Sequence, residues 1–352
     1  MGKLTRRRFG KLSSGALLGT ATTGTTQAEI QPLGLVLPTR NRAIYSADPS
    51  RFYMYIDRNF EGRQMKVWQG GKYGYVRNPV RTSSGIVYTK FHEGLDIAPV
   101  ERDSRGEPLD IIRSIARGKV VHTSPNPYHS SYGSYMVVEH DWGYGKFYSL
   151  YAHLKKITAS KGEKVGPGSA IGVMGYTGPG LNRTRAHLHL ELNLILDSRF
   201  ERWHNQNFSS QNYHGMFNGL NLIGIDVAGL YLAHQRDPNI SIPSFMARME
   251  TYYKVAVPRK GSIQVLDNYR FLARDMATAR GKPSWEISLS ASGVPLGIRP
   301  IDQKVSSPTI TWVKYSATPH SYNTRKRLSG SGKTANLTSS GVRYVQLLAG
   351  QF

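Results

Sequence analysis

Short apolar runs separated by glycine and proline dominate this chain, and few stretches carry a helical period. The clearest alternation is Ala186-His-Leu-His-Leu-Glu-Leu192. Side chains two apart on a strand share a face, so Leu188, Leu190 and Leu192 would fill a core while His187 and His189 project together on the other side. From Val87 to Leu194 similar short runs recur, among them Lys119–His122, Ser134–Glu139, Lys146–His153 and Ala170–Met174. Frequent short strands with Gly turns predict an antiparallel β domain.

Upstream, Phe52–Asp57 alternates weakly and reads as a strand, while Pro32, Pro38 and Pro49 make 29–50 an extended linker. Downstream the pattern changes. Asp226 can cap a short helix through Val227, Leu230, Tyr231 and His234, ended by Asp237-Pro238, and Ser241–Tyr253 reads as a second helix with Pro243 in its first turn. Lys254–Val257, Ser284–Leu289, Thr309–Tyr315 and Val342–Leu347 read as strands. The expected fold class is therefore mainly β and antiparallel, with a carboxy-terminal α+β, strand-rich extension.

Composition narrows the chemistry. The 352 residues include no cysteine, which removes disulfides, thiolate zinc sites, iron–sulfur clusters and a thiol nucleophile. Any metal must be held by His, Asp, Glu or water. No run of about 18 apolar residues is present, so no membrane-spanning helix is expected. The formal net charge is +23, and the five cations of residues 1–28 leave +18 for the rest. Residues 251–352 hold 15 Lys and Arg against 4 Asp and Glu, with Arg325-Lys326-Arg327 the densest patch. Such a field favours anionic partners. Nucleic acid is not expected among them, because no helix-turn-helix, zinc-finger or RNA-recognition signature is found.

The amino terminus resembles a twin-arginine export signal. Arg6-Arg7-x-Phe9-x-Lys11 precedes a weakly apolar stretch, Leu12–Thr26, and Thr26-Gln27-Ala28 offers small residues for cleavage. The implied destination is outside the cytoplasm, periplasmic or secreted.

Of 11 histidines, three groups stand apart: His92-x-x-x-Asp96, His153 at the end of a strand-like run, and His187-x-His189. Three nitrogen and oxygen ligands with an open water position describe a catalytic zinc site. Spacing leaves the alternative that two strand histidines hydrogen-bond inside a polar core. The His-Glu-x-x-His helix motif is absent.

The order of these groups resembles the lysostaphin-type zinc endopeptidases, the LytM-like peptidoglycan hydrolases. The resemblance covers about residues 85–193. It rests on His92-x-x-x-Asp96, Gly118-Lys-Val-Val121, Tyr151-Ala-His153-Leu154, Gly162–Gly168, Ile171–Gly178 and His187-Leu-His189-Leu-Glu191. It implies a duplicated-hybrid-motif-like β domain with one zinc ion held by His92, Asp96 and His189. His153 and His187 become the non-ligand catalytic histidines, which a side chain with an unperturbed pKa near 6.5 suits. The substrate implied is a peptide cross-link in peptidoglycan, joining D-alanine to a diamino acid or running through a glycine bridge. Departures are small: Leu190 stands where an aromatic is common, and a polar insertion, Glu101–Asp110, follows the first motif. Tyr88, four residues before His92, is a core aromatic or an oxyanion donor. All five positions are kept, which implies activity; the alternative is an idle wall-binding or hydrolase-activating module. The expected organisation is a signal at 1–28, a linker and strand region at 29–84, the endopeptidase domain at 85–193, and a basic domain at 194–352 of unassigned role, whose basic region would suit other anionic envelope polymers besides peptidoglycan.

Overall fold

Most of the alternating run at 186–192 lies in a buried inner strand of the main sheet. That sheet comprises β1 (Leu95–Ile97), β2 (Gly118–Ser124), β3 (Tyr135–Asp141), β4 (Lys146–Ala152), β5 (Lys164–Val165), β6 (Leu188–Ile195) and β7 (Leu222–Gly224). Its order is β5-β2-β3-β4-β6, and the far edge of β6 is shared by β1, beside Leu188–Leu190, and β7, beside Asn193–Ile195. All pairings are antiparallel. This computed structural model describes residues 30–75, 78–83, 85–88 and 91–352, without the side chains of Val87 and Tyr88. The expected signal at 1–28 and the Tyr88 side chain lie outside the described residues.

Every residue of β6 is buried. On one face Leu188, Leu190, Leu192 and Leu194 join Leu95, Ile97, Met136 and Val138 in the core. A three-stranded sheet of Ile111–Arg113, Leu154–Ile157 and Ala170–Met174 adds Ile112, Leu154, Ile171 and Met174 to it. Each fully buried leucine contributes about 1.5–3 kcal/mol of transfer free energy, so this face alone holds the strand in place. The opposite face carries His189, Glu191 and Asn193, also buried, beside Tyr135, Val137, Tyr148 and Leu150.

The stretch expected as a linker runs extended but is seated on the sheet. Leu33 and Leu35 are buried, Trp142 Nε1 donates to Leu33 O at 3.1 Å, and Arg113 N donates to Pro38 O at 2.9 Å. Phe52–Met54 then runs beside β1, with Met54 N donating to Asp96 O at 2.9 Å. The strand read at 52–57 begins later, at Ile56–Phe60, and pairs with Arg63–Val67.

In the carboxy-terminal part, β8 (Tyr253–Pro258), β9 (Ser284–Leu289), β10 (Pro295–Ile301) and β11 (Thr309–Val313) form a sheet of order β10-β9-β8-β11. The helix expected after Asp226 is Val227–Arg236, capped by Asp226 Oδ1 on Gly229 N at 2.9 Å. Two expectations need correction. The helix read over Ser241–Tyr253 is only Ile242–Met246, because Tyr253 is already the first residue of β8. The run Val342–Leu347, read as a strand, lies in a helix, Ser339–Ala349. Thr338 caps its start and Gly350, left-handed at φ 65°, ends it. Among its buried residues, Gly341, Tyr344, Val345 and Leu348 keep the helical spacing that a six-residue window hides, and Leu347 and Ala349 widen the buried face.

This region is tied to the main sheet. Tyr269 Oη accepts from Ile195 N at 2.9 Å and donates to Lys146 O at 2.6 Å, and Trp203 Nε1 donates to Arg343 O at 3.1 Å.

Candidate metal centre

Strand register brings the chemistry together. On β6, His189 faces Asp96 of β1 across one edge and Ala152 of β4 across the other. His92 comes from the loop before β1, and His153 follows Ala152 directly. The five residues singled out in the sequence thus converge, each no more than 8% exposed.

Three atoms form a triangle: His92 Nε2 lies 3.1 Å from His189 Nδ1 and 3.1 Å from Asp96 Oδ1, and His189 Nδ1 lies 2.9 Å from Asp96 Oδ1. A tetrahedral zinc with ligands at about 2.0–2.1 Å has ligand–ligand edges of roughly 3.3 Å, which this triangle approaches. The remaining ring nitrogens explain why. His92 Nδ1 donates to Lys72 O at 3.0 Å, which leaves Nε2 as a lone pair. His189 Nε2 meets Glu191 Oε1 at 2.9 Å, and a proton held there leaves Nδ1 as a lone pair. Two lone pairs and a carboxylate oxygen then point at one another, an arrangement that asks for a cation. Without a metal a proton takes that place. Burial opposes charge on His189, but hydrogen bonds to Asp96 and Glu191 prevail and raise its pKa to about 10.

His187 and His153 are built differently. His187 Nδ1 donates to Arg185 O at 2.7 Å, and His153 Nδ1 donates to Thr177 O at 2.8 Å. A carbonyl only accepts, so each ring keeps its proton on Nδ1 and offers Nε2 as a base. His187 Nε2 lies 3.4 Å from Asp96 Oδ1, and the two rings sit 4.8 Å apart. Burial holds His153 well below 6.5. His153 also has a left-handed backbone, φ 61°, which costs a non-glycine residue about 1–2 kcal/mol. Surrounding contacts impose it: His153 N donates to Tyr132 O at 2.9 Å, and Gly175 packs so close that an added Cβ would lie 2.8 Å from His153 O.

Glycine matters at one further point. A Cβ on Gly94 would fall 2.7 Å from His189 Nε2, so the loop between His92 and Asp96 reaches the strand only without a side chain there. Sequence reading assigned no role to Glu191 or Tyr132. Glu191 orients His189 and is itself held by Tyr132 Oη at 2.8 Å and Asn193 Nδ2 at 2.9 Å. The two-residue spacing from His189 was the available signal for Glu191; nothing local marked Tyr132.

Residues 90–200 match the profile of Peptidase family M23. The peptidoglycan DD-endopeptidase ShyA of Vibrio cholerae is 29% identical over 191 residues, 53% of this chain and 39% of that protein. The chain therefore spans about two fifths of that relative's length. Among solved structures, a zinc-containing peptidase from Vibrio cholerae is 25% identical with a TM-score of 0.25, covering 40% of this chain and 36% of that one. The catalytic domain of lysostaphin from Staphylococcus simulans is 22% identical with a TM-score of 0.25, covering 39% and 79%. With its His92-x-x-x-Asp96 and His187-x-His189 motifs in place, the segment 90–200 is a domain of peptidase family M23, of the LytM-like kind that those motifs resemble.

Proposed function

We propose that this protein is an exported zinc endopeptidase that hydrolyses peptide cross-links in peptidoglycan. The observation that carries the reading is the triangle of His92 Nε2, Asp96 Oδ1 and His189 Nδ1, with two further imidazoles presenting Nε2 beside it. Zinc held by those three atoms supplies Lewis acidity and brings the pKa of water toward neutrality. His187 stands on the same strand face as His189, where its Nε2 takes the proton from the attacking water. The proton that His187 takes up then leaves with the departing amine, while His153, which burial holds well below 6.5, completes the pair as a neutral imidazole beside the reacting carbonyl. Glu191 fixes the ring of His189, as a carboxylate behind a metal-binding histidine does. Export rests on the Arg6-Arg7-x-Phe9-x-Lys11 order.

The deciding experiment is digestion of purified peptidoglycan by the full chain lacking residues 1–28, with the fragments read by mass spectrometry. The expected result is loss of cross-linked dimers, abolished by a chelator and restored by zinc. Stoichiometric zinc with intact cross-links would instead indicate an idle wall-binding module.

A further inference from the structure

The basic triplet Arg325-Lys326-Arg327 does not form one surface patch. Lys326 is exposed, while Arg327 is buried with its guanidinium 3.5 Å from the Tyr344 ring centroid and bonded to Ser292 O. Arg325 turns the third way, toward the metal centre, where its Nη2 stands 3.5 Å from Glu93 Oε1. Glu93 is the neighbour of His92. Glu93 and Arg325 border a groove of about 560 Å³, floored by Tyr132 and walled by His129, His214 and Gly219. Tyr132 connects that groove to the triangle, since its ring lies 5.6 Å from His189 and its hydroxyl holds Glu191.

Resting on the hydrolase reading above, we propose that Arg325 is a specificity-determining residue that binds a carboxylate of the peptide substrate at the groove wall. Three observations converge. First, Arg325 is the one Lys or Arg among the described residues lining the groove. Second, its guanidinium is underused: a guanidinium has five donors, and its hydrogen bond to Glu93 is at the long limit. Third, the backbone is held in an unfavourable conformation to aim it. Arg325 and Lys326 are consecutive left-handed residues, φ 53° and 60°. The turn is pinned by Lys326 N on Ser321 O at 3.1 Å and Thr338 Oγ1 on Lys326 O at 2.8 Å. Strain maintained at a groove-facing cation and at the residue after it is the kind found at ligand clamps.

Charge explains the ligand class. Glu93, Asp96 and Glu191 place three negative charges around the site, and a divalent metal cancels two. Arg325 supplies the remaining positive charge. An anionic peptide therefore meets a neutral wall with a forked donor, where without Arg325 it would meet a net negative one.

The test uses two synthetic cross-linked stem peptides, identical except that one ends in a free α-carboxylate and the other in a carboxamide. With the full chain, kcat and KM are measured for both, alongside binding of the two uncleaved single-stem peptides by calorimetry. Wild type is expected to favour the carboxylate by roughly 10–100-fold, the worth of a charge-assisted hydrogen bond, mainly in KM. Arg325→Ala should lose that preference, falling further on the carboxylate peptide than on the amide, and Arg325→Lys should restore part of it. A preference that survives Arg325→Ala, equal losses on both peptides, or a gain on both from an opened groove would each overturn the assignment. If wild type cleaves neither peptide, the hydrolase reading fails, and the calorimetric preference still decides the role of Arg325. Melting temperatures of the variants separate misfolding from lost recognition.

Discussion

Two antiparallel sheets in this molecule use the same alternation for opposite ends. In β9 of the carboxy-terminal sheet, Trp285, Ile287 and Leu289 turn inward. Glu286 turns to the other face, where Arg299 of the neighbouring strand bonds it at 2.8 Å and Thr311 donates at 2.8 Å. Glu286 is itself buried, but Arg299 is 47% exposed, so that pair reaches water through the guanidinium. In β6 the inward leucines are the same device, but the polar face is sealed as well, and His189, Glu191 and Asn193 have only one another and their neighbours for partners. Alternation thus specifies a strand, and what separates the two polar faces is whether the partners of their buried groups reach water.

Removing parts of the buried face should separate it from the solvated one in graded steps. If the proposed ligand set holds, His189→Ala leaves two protein ligands where a stable catalytic site needs three, so zinc by elemental analysis and turnover on a cross-linked muropeptide should vanish together. His187→Ala and His153→Ala should keep near-stoichiometric zinc and lose roughly 10²–10⁴-fold in turnover. A reversed pattern, with His187→Ala stripping the metal, would dismantle the ligand assignment. Glu191→Gln should weaken zinc about 10–100-fold in a chelator competition, because it acts only through His189.

Acid should discriminate the sheets too. His140 of β3 is fully buried, with Nδ1 on Arg117 O and Nε2 on Ser149 Oγ, and burial lowers its pKa to about 4. The unfolded chain, titrating near 6.5, binds more protons between those values. Stability is therefore complete above pH 6.5 and declines as pH falls toward 4, by about 2 kcal/mol between pH 7 and 5 for this residue. Urea titrations at both pH values, on wild type and His140→Gln, should show a smaller pH loss in the variant. At the bottom of the scale, Arg299→Ala on the solvated face should cost about 1 kcal/mol or less at either pH. A larger loss there would erase the contrast.

Much of the centre was legible because catalytic chemistry restricts residue types and strands restrict spacing. His187 and His189 share a face by periodicity alone, and the five chemical positions carried the family resemblance. Convergence was not legible. Asp96 faces His189 only through the pairing of β1 with β6, 93 positions apart in sequence. The same limit hid Arg325, whose tertiary position takes it out of the triplet it seemed to belong to. Val342–Leu347 shows a local failure, since a short apolar run fits strand and helix equally until Thr338 and Gly350 are recognised as its caps.

The hydrogen bond from His92 to the carbonyl of Lys72 bears on how this protein can be cut and regrafted. A fragment trimmed to 90–200 would carry every motif and still leave that carbonyl behind, along with Met54, whose amide braces Asp96. An engineer seeking a portable cutting module should therefore begin the excision before Phe52, because the sequence boundary of the family is not the mechanical boundary of the site.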